Sequence, residues 1–159
     1  PYGCPRSFIN SFIHQKTDWI AKHSAENKQR YEKQVQLKKD RPTLSDAQRR
    51  RYIETARSIF TQKAAYYARL MGVTYGRISI REQKTRWGSC SSKGNLNFNW
   101  RLIFAPEEVI DYIVVHELAH RKEMNHSKAF YNLVASVLPD YKVREKWLKE
   151  NGEKLWNCV

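Results

Sequence analysis

His116, Glu117, His120 and His126 fall within eleven consecutive positions, and these residue types can do chemistry together. In His116-Glu117-Leu118-Ala119-His120 the two imidazoles are four residues apart. On an α-helix such a pair projects from nearly the same face and can grip one ion. Glu117 sits about 100° round the helix from His116, close enough to reach a water on that ion without being a ligand. A hydrolytic zinc site works this way: the metal acidifies water and the glutamate takes its proton. A five-residue pattern also arises by chance, and a histidine pair on an amphipathic helix is often ordinary surface. Two features favour the metal. Val109, Ile110, Ile113, Val114 and Val115 precede the motif, so its helix is strongly apolar and central. Ionisable groups at the end of a buried helix need a compensating partner, and a metal is one.

His126 is the second feature, because a catalytic tetrahedral site takes three protein ligands and keeps one position open. It lies six residues beyond His120, the spacing of the third histidine in metzincin-type sites. Those sites turn on a glycine, and Glu123 stands at that position here. The turn is therefore expected around Glu123-Met124-Asn125, with Asn125 able to adopt left-handed angles. Glu123 is the rival third ligand, but it shares the face of His120 only if the helix continues. Ligand type and spacing favour His126, leaving Glu123 solvated or as a partner of a ligating histidine.

The elements that must hold these residues follow from periodicity and punctuation. Phe8, Ile9, Phe12, Ile13 and Ile20 recur at helical spacing after Ser7, a candidate N-cap. The chain is hydrophilic from Lys22 to Lys39, and Asp40-Arg41-Pro42-Thr43 breaks it. Ser45 and Gln48 form a capping box for a helix whose buried face carries Ile53, Ala56, Ile59, Phe60, Ala64, Tyr67 and Met71, with Gly72 ending it. Arg49-Arg50-Arg51 on its first turns opposes the helix dipole, so the triplet is a candidate for serving a partner. Ile78 and Ile80 alternate with polar neighbours, as do Leu96, Phe98 and Trp100, which predicts two strands with a strand end and tight turn over residues 85–94 between them. Pro106 opens the motif helix. Ser127 caps the next, and Asp140 starts a last helix that Gly152 closes. Helices, a small sheet, then helices make the class α+β.

Composition bounds the rest. The chain has 159 residues, 41% of them hydrophobic and 13% aromatic, enough for one compact domain with an appendage. No run is apolar enough to cross a membrane and none resembles a signal peptide. Pro1 in place of Met suggests a truncated or processed chain. Cys4, Cys90 and Cys158 are odd in number and widely spaced, which argues against a disulfide framework and for a reducing cytoplasm. Cys90 reads as a buried structural thiol. Net charge is +13, and the first 76 residues hold 15 Lys/Arg against 6 Asp/Glu. Residues 1–43 therefore read as a basic N-terminal helical arm. Such an arm suits nucleotide or nucleic acid contact, or is a solvated helical face.

Trp87-Gly88-Ser89-Cys90-Ser91, Asn99-Trp100-Arg101-Leu102, Ala105-Pro106, His116 to His120, Asn125-His126-Ser127 and Phe130 occur in one order. Together they resemble the YgjP-like metallopeptidase family, which is related to SprT-like zinc peptidases. The likeness covers about Leu44 to Gly152, so residues 44–159 form the expected metallopeptidase domain. It implies a zincin-like fold with a small antiparallel sheet beside the metal-bearing helix. It implies His116, His120 and His126 as ligands of Zn2+ or another divalent transition metal, Glu117 as general base and a peptide or protein as substrate. Tyr131 departs from the family, which commonly has tryptophan there. A β-rich segment usually precedes the first helix, and almost nothing precedes Ser7.

The expected reaction is metal-dependent hydrolysis, most simply of a peptide bond. The strand around Leu96 to Trp100 is a candidate to hold an extended substrate through its main chain. Arg86, Tyr112 and Tyr141 are candidate donors to a developing oxyanion, and Asn99 is a further substrate-binding candidate. Two other readings stay open. The activated water could attack a nucleotide phosphoanhydride, or the metal could be structural in a nucleic-acid-binding module.

Overall fold

A computed structural model of the chain describes residues 5–39 and 44–158. Two compact units divide it, Pro1–Thr43 and Leu44–Val159. Among its described residues the first holds one helix, α1 (Arg6–Lys39). Ser7, the expected N-cap, lies inside its first turn, which closes on the Pro5 carbonyl. Phe8, Phe12 and Trp19 are exposed, and the Trp19 ring stacks on His23 with centroids 4.2 Å apart. The break expected at Asp40–Thr43 and the residue Cys4 lie outside the described residues.

The second unit opens with α2 (Asp46–Met71). Ser45 and Gln48 close the expected capping box, and Gly72 ends the helix in the left-handed region at φ 61°. Three short strands follow: β1 (Ile78–Arg81), β2 (Gly88–Cys90) and β3 (Leu96–Asn99). A 3-10 turn (Trp100–Phe104) leads to α3 (Glu107–Ala119), the motif helix, and then to α4 (Lys128–Val137) and α5 (Tyr141–Trp156). Trp100 does not extend the strand. The Asn99 side-chain oxygen accepts the Arg101 N–H at 3.1 Å and turns the chain there.

The α+β class holds, but the sheet is mixed rather than antiparallel, in the order β1-β3-β2. A tight turn over Ser91–Asn95 folds β2 antiparallel onto β3, closed by Gly94 N–H to Ser91 carbonyl at 2.8 Å. Residues 82–87 carry the chain past the end of β3. β1 therefore meets the other side of β3 and runs parallel to it, with Ile78 opposite Leu96 and Arg81 opposite Asn99.

α3 is buried nearly all round: Val109, Ile110, Ile113, Val114, Val115 and Leu118 are each 5% exposed or less. Its β-branched residues are poor intrinsic helix formers, so burial rather than propensity holds it helical. On α2, Ala56, Ala64 and Ala68 allow close approach, and Phe60 stacks on Phe98 of β3 with centroids 4.4 Å apart. Lys63 ties α2 to α3 through Glu107 at 2.8 Å and Asp111 at 2.6 Å. One residue of the arginine triplet finds a partner inside this unit: Arg49 pairs with Glu82, which Arg101 also contacts at 2.9 Å. Asp140 does not cap α5 with its side chain. It pairs with Arg144 instead, and Gly152 lies within the helix against Trp87.

Phe60→Ala should cost about 3–5 kcal/mol of unfolding free energy, measured by urea titration. Glu82 gives a pH signature. Burial disfavours its charge, but hydrogen bonds from Arg101 and Arg49 outweigh this and hold its pKa below the ordinary 4.5. The stability it contributes is therefore present above that value and lost as pH falls through the lowered one. Acid titration of Glu82→Gln should show a smaller loss of stability below pH 4.5 than the parent.

Candidate metal centre

α3 ends at Ala119, and the next turn is tighter. Arg121 N–H bonds to Leu118 carbonyl at 3.0 Å and Lys122 N–H to Ala119 carbonyl at 3.0 Å. Cationic side chains fix that turn. Lys122 Nζ donates to the Met71 carbonyl at the end of α2 at 2.8 Å, where an unsatisfied helix carbonyl attracts a cation. Arg121 donates to Thr74 and Ser92 carbonyls at 2.9 and 3.2 Å. The chain then returns so that His126 precedes Ser127, whose Oγ accepts the Phe130 N–H at 3.3 Å and caps α4. Asn125 takes no left-handed angle, since no described non-glycine residue has positive φ. The tight turn and the Ser127 cap bring the chain round without one.

These elements bring His116, His120 and His126 together, with one nitrogen of each lying within 4.8 Å of the others. His116 Nε2 and His126 Nε2 are 3.0 Å apart. Phe130, fully buried, forms a floor with ring centroids 4.9, 4.7 and 4.8 Å from the three imidazoles in that order. The His120 Nδ1 lies 3.1 Å from the Glu123 carbonyl, which as an acceptor would leave Nε2 free to ligate. Glu123 thus meets the histidine cluster through its backbone carbonyl. Burial first, then His120 and His126, depresses the pKa of His116 to about 3. Burial likewise lowers that of His120. Neutral imidazoles are the ligating form, so the donor set suits a divalent transition metal, and three nitrogens suit zinc with one position left open.

Glu117 is 5% exposed beside this cluster. Burial raises its pKa to about 8, against the pull of Arg86. The β2 backbone comes close because residue 88 is glycine: a Cβ there would lie 2.5 Å from Glu117 Oε1. The cleft has a volume of about 320 Å³ and is lined by Arg86, Gly88, Ser89, Cys90, Met124 and the four motif residues.

Of the other candidates, only Arg86 faces the cleft. Tyr112 and Tyr141 are 4% and 9% exposed and pack on each other behind His116, so they are part of the core and not of the cleft wall. Asn99 is 1% exposed and spends its amide on backbone carbonyls. The Leu96 to Trp100 segment cannot take an extended peptide, because β3 is paired on both sides. β1 and β2 are the edge strands, and β2 is the one that lines the cleft. The strand end expected within residues 85–94 is a separate strand, β2, which sequence reasoning did not delimit because Gly88-Ser89-Cys90 has no hydrophobic alternation. Cys90 is half-buried, packed against the core on one side and lining the cleft on the other, with its thiol pKa pushed up by burial and then by Glu117.

Gly88→Ala should force Glu117 or β2 to shift. Metal content should persist while turnover falls, read by elemental analysis alongside kinetics.

Comparison with known proteins adds independent findings. A family model described as YgjP-like, metallopeptidase domain, matches residues 25–151. The fold is similar to the metallopeptidase zymogen abylysin of Pyrococcus abyssi, with TM-score 0.52, 23% identity and coverage of 57% of this chain and 93% of that one. It is also similar to the zymogen jannalysin of Methanocaldococcus jannaschii, with TM-score 0.50, 23% identity and coverage of 59% and 95%. A curated Escherichia coli (strain K12) protein named UTP pyrophosphatase is 57% identical over 37 residues, which is 23% of this chain and 22% of that protein's length. No described helix is long and apolar enough to cross a membrane.

Proposed function

Because the chain belongs to the YgjP-like metallopeptidase domain family, we propose that its cleft hydrolyses peptide bonds with zinc on His116, His120 and His126 and with Glu117 as general base. The observation that carries this reading is the cluster of three imidazole nitrogens within 4.8 Å beside a buried carboxylate. A divalent metal, when bound, supplies the Lewis acidity that brings proton loss from water into the neutral range.

The protein's own groups do the rest. His116 presents its ring from the last turn of α3, His120 from the residue that caps that helix, and His126 completes the set from the return loop. Glu117 accepts a proton from water and passes it to the departing amine, so that water adds across the amide as acid and amine. Positive charge within the triad would draw down the raised pKa of Glu117 and keep it ionised for that role. The open edge of β2 offers main-chain groups to an extended substrate, while side-chain pockets select residues.

A second reading is favoured by the stretch shared with the protein named UTP pyrophosphatase and by the cationic Arg86 in the cleft. The same water and the same base would then cleave a phosphoanhydride. Zinc-loaded protein incubated with an unstructured polypeptide and, separately, with UTP distinguishes them. Cleavage of the polypeptide is expected, and turnover of UTP alone would replace this reading with the second. Under either, Glu117→Gln should retain metal and lose turnover by about 10²–10⁴-fold. Undiminished turnover in that variant would remove Glu117 from the role. Glu123→Ala, acting on a side chain whose backbone alone touches His120, should change metal content little.

A further inference from the structure

Resting on the hydrolytic reading of this cleft, the geometry points to Arg86 as its anion subsite. We propose that its guanidinium binds a substrate oxyanion, a carboxylate or phosphate, beside the bond that is cleaved. Arg86 is the sole Lys or Arg among the residues lining the cleft, and Glu117 is the sole acid.

Five other cations of this unit have partners of their own, and Lys84, on the same loop, does not line the cleft. Arg49 and Arg101 pair with Glu82, Lys63 pairs with Glu107 and Asp111, and Arg121 and Lys122 hold backbone carbonyls. Among the described residues, Arg86 forms no ion pair within the protein and its residue is exposed.

The loop that carries Arg86 is braced from below. The buried Asn99 amide donates to Gln83 carbonyl at 2.7 Å and lies 3.5 Å from the Arg86 carbonyl. Its backbone N–H donates to Trp87 carbonyl at 2.8 Å. The Trp87 ring stacks on Trp156 of α5 with centroids 3.8 Å apart. Three carbonyls within five residues are therefore tied to one buried side chain and its backbone, on a segment with no regular structure. The consequence is a fixed backbone beneath an exposed guanidinium at the mouth of the cleft. A planar guanidinium on a fixed base matches carboxylate or phosphate bidentately, and a cleft concentrates its field.

The test follows the Arg86 Nε–H resonance in ¹⁵N spectra of zinc-loaded protein titrated with sulfate, the resonance being assigned by its loss in Arg86→Lys. Sulfate should shift it with saturation. Arg86→Gln should weaken sulfate binding by about tenfold or more, as for a lost hydrogen bond to a charged group, and Arg86→Lys should weaken it less. Matched peptides with Asp or Asn beside the cleaved bond, together with UTP, identify the source of the anion. The preference in kcat/KM for whichever anionic substrate is turned over, relative to the neutral peptide, should fall by a similar factor in Arg86→Gln.

No shift at Arg86, or an equal loss of sulfate binding in Lys84→Gln on the same loop, would overturn the subsite. So would an unchanged substrate preference. Failure to hydrolyse any substrate would instead overturn the hydrolytic reading, and the sulfate titration would still decide the subsite.

Discussion

His116 Nε2 and His126 Nε2 sit 3.0 Å apart over the ring of Phe130, and such closeness requires a proton or a cation between them. Much of the local structure follows from bringing those two nitrogens to one point. α3 must stop after Ala119, or His126 would be carried away along its axis. The turn that stops it needs anchors outside itself, which Lys122 finds on Met71 and Arg121 on Thr74 and Ser92. The end of α2, the turn between β2 and β3 and the turn after α3 are thereby fixed relative to one another. An apolar floor suits the arrangement, because Phe130 competes for none of the imidazole nitrogens.

The second half of the site depends on how closely a strand can approach a helix. Gly88 brings the β2 backbone against Glu117 with no side chain between them. The carboxylate is thus enclosed on one side by main chain and open on the other to the histidines. Enclosure raises its proton affinity, and Arg86 opposes that rise. A carboxylate held between those two influences is sensitive to any charge placed at the imidazoles. Family membership and the likeness in fold to two metallopeptidase zymogens agree with this architecture.

The helix-borne part of the site was readable because its signals are local. His116, Glu117 and His120 share one turn, and the apolar run before them announces a buried helix. The Ser45 capping box, the Gly72 end and the Ser127 cap are likewise written within four residues each. Long-range pairing left weaker traces. β2 is three small residues without alternation, and nothing local says that β1 joins β3 parallel from the far side. Tyr112 and Tyr141 carry hydroxyls suited to catalysis, yet their placement is decided by packing around α3, which turned them into the core. Asn99 ends a strand whose alternation suggested continuation. Its side chain instead caps the next turn and braces the loop of Arg86, a role visible only once residues 83 and 99 are seen together.

X-ray absorption at the zinc edge, on protein loaded to one equivalent, decides whether three imidazoles and one exchangeable position make the metal shell proposed for this cleft. Such a shell gives three nitrogen scatterers with imidazole multiple scattering and one light oxygen that a small anion displaces. A sulfur contribution, which would bring Cys90 into the shell, would contradict it, as would a closed shell of four protein ligands or one that His126→Ala leaves unchanged.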